Sequence, residues 1–298
     1  MHHHRTLLCA ALCAAVFTLQ SAKAEEGGSG HYVPGNVATL IDQPPTEPGF
    51  IVQTMYMHYQ GEASASRPLP RAGLLTLGLD ARSDALTIGG VYTFEPTLLG
   101  AHYSLAAYVP YVWLEVEASL TSPLGTISRT DTADGIGDLT LVPVMLAWER
   151  EDWQFNFLLS VYAPTGDYDV GRLANPGLNH WTFDPTIGVN YNNEEIGFNF
   201  ALYGGMTFNT ENNETDYKSG SAIHVEASAQ QLLPVGPGLL GIGTNAFLYE
   251  QVTGDSGSGA TLGDFKGSTV GVGPVLTYVL PIGEQSLVAE IRWLPELD

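Results

Sequence analysis

The chain has 298 residues, of which 32 are acidic and 11 basic, and its formal net charge at pH 7 is −21. This acidic excess excludes nucleic acid as a partner, because few basic side chains are available to neutralise phosphates. Glycine (34 residues) and tyrosine (14 residues) are abundant and charged residues make up only 14% of the chain, so we expect a secreted β protein or an outer-membrane β-barrel.

The first 24 residues have the pattern of a secretory signal peptide. Arg5 gives a basic start, an apolar run covers residues 7–19, and Ala22-Lys23-Ala24 supplies the small residues of a cleavage site. The apolar run is too short to span a bilayer as a helix. Cleavage after Ala24 removes both cysteines of the chain, so we expect no disulfide in the mature protein.

Residues 25–49 are rich in glycine and proline and precede the first predicted strand. Two interpretations of this segment stay open. In one, it folds into the lumen of a barrel as a plug; in the other, it is a mobile periplasmic tail. The expected organisation is a signal peptide over 1–24, this N-terminal segment over 25–49 and a barrel domain over 50–298.

Alternation of apolar and polar residues predicts long β-strands through the rest of the chain. In WQFNFLLSVYA, residues 153–163, one face is almost wholly apolar and the other largely polar. Strands of about ten residues suit a tilted membrane span better than a soluble sandwich. Eleven strands are predicted, over residues 50–60, 84–95, 98–120, 137–149, 153–163, 181–192, 196–209, 220–232, 239–252, 268–280 and 286–294. Aromatic residues near strand ends, as expected for interfacial girdles, are Trp148, Trp153, Trp181, Tyr191, Tyr249 and Trp293.

The predicted connections alternate in length. Long ones are expected near 61–83, 121–136, 164–180, 210–219 and 253–267. Short ones are expected near 95–98, 149–152, 192–195, 233–238 and 281–285. Outer-membrane barrels have short periplasmic turns and long extracellular loops, so the sequence predicts an all-β, antiparallel transmembrane β-barrel in the bacterial outer membrane. Because bacterial single-chain barrels have even strand numbers, eleven strands indicate a twelve-stranded architecture whose C-terminal closing strand is missing.

Two motifs that carry chemistry in other proteins are interpreted as loop sequence. Gly254-Asp255-Ser256-Gly257 resembles the surroundings of a protease nucleophile, but no histidine lies near it in sequence to act as the base. Asp131, Asp134 and Asp138 are weak candidates for a calcium site, because they lack the ordered spacing and closing glutamate of an EF-hand. We therefore expect no catalytic residues, no metal and no cofactor.

Polar side chains on the inner face of the predicted strands form the candidate site. The candidates are Asn156, Tyr162, Asn199, Tyr203, His224, Glu226 and Gln230. Either they line or constrict a solute pathway, or they fill a packed interior with hydrogen bonds. Tyrosines and small residues on this face suit amphiphilic or aromatic cargo better than ions.

Stretches spread over nearly the whole mature chain resemble one known family. They include VPYVWLEVEAS (109–119), DGIGDLTLVPVMLAW (134–148), YAPTGDYDVGRLANPGLNHWTFDPTIGVNY (162–191) and AEIRWLPELD (289–298). In these stretches the chain resembles the meta-pathway phenol-degradation family of transporter-like outer-membrane proteins. The resemblance implies a closed antiparallel barrel, the passage of small hydrophobic or aromatic molecules, and one further closing strand after the last stretch.

The predicted function is a passive outer-membrane channel or transporter for small hydrophobic compounds, aromatic ones among them. Its expected partners are these solutes, outer-membrane lipid and the barrel-assembly machinery. One alternative is a structural or adhesive barrel that displays acidic loops. The other is an outer-membrane hydrolase that uses Ser256 and His224.

Overall fold

The computed structural model describes residues 10–16, 30–71, 74–122, 125–260 and 266–297. These residues form one sheet of fourteen strands and a short 3-10 turn at Leu40–Asp42. The strands are β1 (Ala10–Val16), β2 (Gly49–Arg71), β3 (Leu74–Thr93), β4 (His102–Ser122), β5 (Gly125–Ile136), β6 (Leu139–Arg150), β7 (Trp153–Ala163), β8 (Thr182–Asn193), β9 (Phe198–Asn209), β10 (Ala222–Val235), β11 (Gly238–Gln251), β12 (Ser268–Ile282), β13 (Gln285–Arg292) and β14 (Glu296–Leu297). No helix in these ranges is long and apolar enough to cross a membrane.

The sheet closes on itself into a ring. From β2 to β13, neighbouring strands pair antiparallel. β5 and β6 occupy one position in the ring, because both pair with β4, β5 with its second half and β6 with its first half. Because β5 and β6 share one position, the twelve strands from β2 to β13 fill eleven positions in the ring. These positions correspond to the eleven predicted strands, which confirms the predicted antiparallel architecture.

The ring is completed by β1, which lies between β2 and β13 and runs parallel to both. An antiparallel twelfth strand after β13 was expected at this position. Instead, the strand there comes from Ala10–Val16, inside the predicted signal peptide. The remainder of residues 1–29 lies outside the described residues, and cleavage after Ala24 stays a prediction.

Two of the predicted long loops are wrong. Residues 61–71 and 74–83 lie in the hairpin of β2 and β3, and residues 121–122 and 125–136 lie in the hairpin of β4 and β5. A hairpin that continues beyond the membrane can have water on both faces, so its sequence need not alternate. The other long connections are present at 164–181, 210–221 and 252–267, the last of them only partly described.

Side chains alternate between the inner and outer faces of the wall, as the pleat of a strand requires. In β10, His224 and Glu226 are buried whereas Val225 between them is exposed. Ile187 of β8 and Leu276 of β12 are likewise exposed on the outer face. An apolar outer face and a polar inner face are typical of barrels that stand in lipid.

Aromatic residues gather at both ends of the wall. Trp153 and Tyr191 lie 4.9 Å apart at the end with the short turns, and Trp181 and Phe183 lie 6.5 Å apart at the other end. Tyr249 was expected in the same girdles, but it is buried on the inner face. Its position follows the pleat, because Tyr249 shares the inner face of β11 with other buried residues.

Candidate functional site

Residues 30–48 are the part of the predicted 25–49 stretch that the structure describes ahead of β2, and from here on the name N-terminal segment means these residues. They run through the inside of the ring. At the end with the short turns, Gln154 of β7 donates a hydrogen bond to the Pro44 carbonyl at 2.9 Å. At the end with the long connections, the His31 Nδ1 atom lies 2.7 Å from the hydroxyl of Thr182, the first residue of β8. The segment therefore extends from one end of the ring to the other.

Glu226 on β10 is a buried anchor for the N-terminal segment. Its carboxylate accepts a hydrogen bond from the Tyr32 hydroxyl. It also accepts hydrogen bonds from the backbone N–H groups of Gly35, Asn36 and Val37, at 2.6, 3.2 and 3.1 Å. Gly35 has a φ of +92°, a conformation that glycine adopts without steric cost. The resulting turn aims successive N–H groups at one carboxylate, which offsets the cost of burying its charge.

A second polar contact joins the segment to β13. The guanidinium group of Arg292, buried at 2% exposure, donates to the Gly35 carbonyl and to the Asp42 carboxylate, at 2.9 Å from the latter. It also lies 3.1 Å from the carboxylate of Glu290 on the same strand. Arg292 thus balances the buried carboxylate of Glu290 and the half-buried carboxylate of Asp42, and it holds the segment at two points.

At the start of the segment, the imidazole ring of His31 contacts two aromatic rings and a carboxylate. His31 Nε2 lies 2.8 Å from the Asp138 carboxylate. The His31 ring stacks on Tyr162 at 5.2 Å and meets the His180 ring edge-on at 4.9 Å. Burial, and next the nearby His31, lower the pKa of His180 to about 4. The His180 imidazole is therefore uncharged at neutral pH.

The structure places all seven predicted site residues inside the ring, but in two groups. Three of them contact the N-terminal segment: Glu226 as described, Tyr162 through His31, and His224, whose ring stacks on Tyr32 at 3.9 Å. His224 Nε2 also lies 2.9 Å from the Asp184 carboxylate. These contacts place the three residues beside the segment.

The other four predicted residues hydrogen-bond mainly across the wall. Asn156 donates to the Tyr203 hydroxyl at 2.9 Å. Asn199 donates to Asn192 of the neighbouring strand. Gln230 accepts a hydrogen bond of 2.8 Å from the Thr277 hydroxyl, across β11. This group fits the interpretation of a hydrogen-bonded interior.

A cavity of about 790 Å³ lies inside the ring, between the N-terminal segment and the inner face of β2–β4 and β6. The wall contributes apolar side chains to it, among them Ile51, Met55, Met57, Ala85, Val91, Leu114, Val142 and Met145. The segment contributes Val37, Leu40 and Ile41 on the other side. The lumen thus has a polar half, on β7–β11 and β13, where the segment is hydrogen-bonded, and a largely apolar half, on β2–β4 and β6, that faces the cavity.

Sequence reasoning identified Glu226 but missed the other residues that hold the segment. Arg292 and Glu290 alternate with apolar neighbours in β13, so the strand pattern could have identified them. Tyr32 and Asp42 lie in a stretch without periodicity, and their partners are 194 and 250 residues away in sequence. Such contacts leave no local signal.

The three aspartates considered for calcium serve as separate hydrogen-bond acceptors. Asp131 accepts from the backbone N–H groups of Leu173 and Ala174. Asp134 accepts from the Tyr111 hydroxyl. Asp138 accepts from backbone N–H groups of the connection 164–181. Among the described residues, no group of three or more His, Cys, Asp or Glu side chains could hold a metal ion.

The Gly-Asp-Ser-Gly stretch packs against the neighbouring connection. Ser256 is exposed and exchanges two backbone hydrogen bonds with Lys218. Asp255 is buried and accepts hydrogen bonds from the Gly220 N–H at 2.8 Å and from the Gln251 amide at 2.6 Å. The contacts of this stretch therefore hold two long connections together.

Comparisons with known proteins agree with this architecture. A family model described as "Putative MetA-pathway of phenol degradation" matches residues 64–296. The crystal structure of the COG4313 outer membrane channel from Pseudomonas putida F1 has a similar fold, with a TM-score of 0.55 and 16% identity over 85% of this chain and 87% of that one. No curated protein matches the chain. The structural likeness confirms the predicted outer-membrane barrel fold.

Proposed function

The chain belongs to the family of the MetA-pathway of phenol degradation, and from this premise we propose that it is a passive channel for small hydrophobic compounds, including aromatic ones. The outer-membrane channel barrel is the fold it shares with the Pseudomonas putida F1 protein. The family's description supports an aromatic solute, and the apolar side chains that line the cavity support a hydrophobic one.

The apolar half of the lumen is the observation that carries this proposal. Met55, Met57 and Met145 line the cavity there, and methionine adapts its shape to varied apolar partners. A water-filled pore for ions or sugars is lined by polar groups instead. Because the polar half of the lumen is occupied by the N-terminal segment, a solute would pass along the apolar half, down its concentration gradient.

The N-terminal segment acts, in this proposal, as a plug that narrows the lumen. Its contacts with Glu226, Arg292 and Gln154 lie on β10, β13 and β7, so it is held from several directions. A held segment restricts the free cross-section to the cavity beside it. This restriction favours compact solutes.

Solute uptake into vesicles tests the proposal. The purified protein is inserted into vesicles whose outer leaflet is lipopolysaccharide, and entry of the fluorescent apolar probe N-phenyl-1-naphthylamine is followed in time, with glucose as the polar comparison. We expect the protein to speed entry of the apolar probe much more than entry of glucose. The proposal would be contradicted if the protein sped up the entry of both solutes equally, or if it did not speed up the entry of the apolar probe.

A further inference from the structure

The connection 164–181 folds inward and covers the outer end of the cavity. Asn175, Pro176 and Leu178 of this connection line the cavity. The two residues just ahead of them, Leu173 and Ala174, are buried, at 1% and 0% exposure. Because long connections face outward in such barrels, a solute from outside meets this connection before it reaches the cavity.

Leu173 and Ala174 are buried against the same strip of wall that lines the cavity. They form one apolar cluster with side chains of β3, β4 and β5. Its members on these strands, with the side chains packed against them, are Leu79, Val116, Ala81, Leu114, Ala118 and Ala133. Three of these, Leu79, Ala81 and Leu114, also line the cavity. The apolar inner face therefore continues from the cavity to a place where the connection's own side chains cover it.

Residues 169–175, which we call the flap, are tied to one another. The Asn175 side chain accepts a hydrogen bond from the Asp169 N–H at 2.9 Å and donates to the carbonyls of Asp169 and Arg172, both at 3.2 Å. The Arg172 N–H also donates to the Asp169 carbonyl at 3.3 Å. A loop that is packed by its own side chains in this way can move as one body.

The flap joins the rest of the connection at a narrow neck. The Gly177 N–H donates to the Asp167 carbonyl at 3.0 Å, which closes the neck. Asp138 holds both sides of it, because its carboxylate accepts hydrogen bonds from the N–H groups of Gly166 and Leu178, at 2.8 and 2.7 Å. The neck is therefore a fixed point about which the flap can turn.

Beyond the neck, the flap is fastened to β5. Asp131 accepts hydrogen bonds from the N–H groups of Leu173 and Ala174, at 2.9 and 3.3 Å. The Arg172 guanidinium donates to the Thr132 carbonyl at 3.2 Å. We call Asp131 and the buried Leu173 side chain the latch. Breaking these contacts lets the flap lift and uncovers the apolar strip beneath it.

We propose that the flap is an outer gate of the lumen, which lifts about its neck to admit a solute and is held shut by the latch. The gate rests on the proposed channel function and adds regulation to it, because entry then depends on how often the latch opens. While the gate is shut, the Leu173 side chain occupies the apolar surface that an entering solute would use.

Limited trypsin digestion of the refolded protein tests whether the flap lifts. Trypsin cuts after Arg172, but the next residue, Leu173, is buried in the closed flap, so cleavage there reports how often the flap is open. Asp131→Ala and Leu173→Ala each remove one half of the latch. Their controls are Asp134→Ala, on the exposed face of the same strand, and Val170→Ala, at a flap position with 48% exposure. A heat-dependent gel shift checks that each variant has folded.

We expect cleavage after Arg172 to be at least about tenfold faster in both latch variants and unchanged in both controls. One latch variant loses hydrogen bonds to a charged group, and the other loses a large buried side chain. Mass spectrometry of the fragments identifies the cut. If the latch variants are cut after Arg172 no faster than the controls, the latch does not hold the flap and the gate is refuted.

Two transport measurements separate the gate from the proposed function. In planar bilayers, the latch variants should spend a severalfold larger fraction of time in the higher-conductance state, and in vesicles they should speed entry of N-phenyl-1-naphthylamine severalfold over the unmodified chain. If the unmodified chain speeds entry of the probe and the latch variants change neither quantity, the gate is refuted and the channel stands. If the latch variants raise the open fraction but no form of the protein speeds entry of the probe, the gate stands and the proposed channel for apolar solutes fails.

Discussion

Glu226 illustrates how this interior accommodates a buried charge. A carboxylate inside a protein is costly unless its oxygens are hydrogen-bonded. Here the chain meets that cost with its own backbone, because the turn at Gly35 brings three N–H groups to the carboxylate and the Tyr32 hydroxyl supplies a fourth donor. The same side chain that would be unstable alone becomes the attachment point of the N-terminal segment.

Glu226→Gln should loosen the N-terminal segment without unfolding the barrel. The amide keeps one acceptor oxygen but turns an NH₂ group toward backbone donors, and hydrogen bonds to a charged group are worth about 1.5–3 kcal/mol each. We expect amide hydrogen exchange at residues 35–37 to speed up by about tenfold or more. Glu284→Gln, in the exposed turn between β12 and β13, is the matched control and should change nothing. Unaltered exchange in Glu226→Gln would show that other contacts hold the segment.

His180 should make stability depend on pH. Its pKa in the folded protein is about 4, whereas that of an unfolded histidine is about 6.5. Between these values the unfolded state binds more protons, so the free energy of unfolding is highest above about pH 6.5 and falls as the pH drops toward 4. Urea unfolding at pH 7 and pH 4.5 measures this loss, which should be smaller in His180→Gln. An identical loss in both proteins would assign the pH dependence to other groups.

Among the structural elements, the strands were predictable, whereas for the N-terminal segment the sequence left a lumen plug and a periplasmic tail as equal alternatives. The alternation in β10 correctly assigned His224, Glu226 and Gln230 to one face. Neighbouring residues of a strand point to opposite faces, so a difference in polarity between the two faces appears as alternation in the sequence. The distal part of the hairpin of β2 and β3 was predicted as a loop near 61–83, since pairing beyond the membrane needs no such pattern. The N-terminal segment has only one 3-10 turn, and its path is set by wall residues far away in sequence.

Removal of residues 30–45 should open the lumen. The deletion takes away the side chains and backbone groups that contact Glu226, Arg292 and Gln154, and it leaves the strands themselves complete. We expect the single-channel conductance in planar bilayers to rise severalfold, because the conducting cross-section grows. The gel shift on heating controls for folding. A folded deletion variant with the conductance of the intact chain would rule out the plug.

The outer face of the ring and its inner face suit different environments, lipid on the outside and the lumen on the inside. Its outer face carries exposed apolar side chains such as Ile187 and Leu276, and its inner face carries the buried polar network. This arrangement is the reverse of a soluble protein and was foreseen from the sequence. The strand that closes the ring was not foreseen, because β1 comes from a run that has the composition of a signal peptide. It pairs parallel with β2 and β13.

Arginine substitutions on the outer face should reveal the membrane-embedded band. Ile187 lies at the middle of β8, and Ile196 lies in the turn between β8 and β9; both are more than half exposed. Ile187→Arg should lower the free energy of unfolding in lipid vesicles by about 2–4 kcal/mol, the cost of arginine at the bilayer midplane. Ile196→Arg should cost close to nothing. Equal effects of the two substitutions would contradict an embedded band at β8.

The course of the N-terminal segment also determines which side of the membrane its first residues face. β2 begins at the end of the ring with the short turns, yet His31 lies at the opposite end, beside the first residue of β8. After β1, the chain thus passes once through the pore before it forms the rest of the wall, from β2 to β13. Because long connections face outward in such barrels, a peptide epitope inserted just ahead of residue 30 would emerge through the mouth and be displayed to antibodies on intact cells.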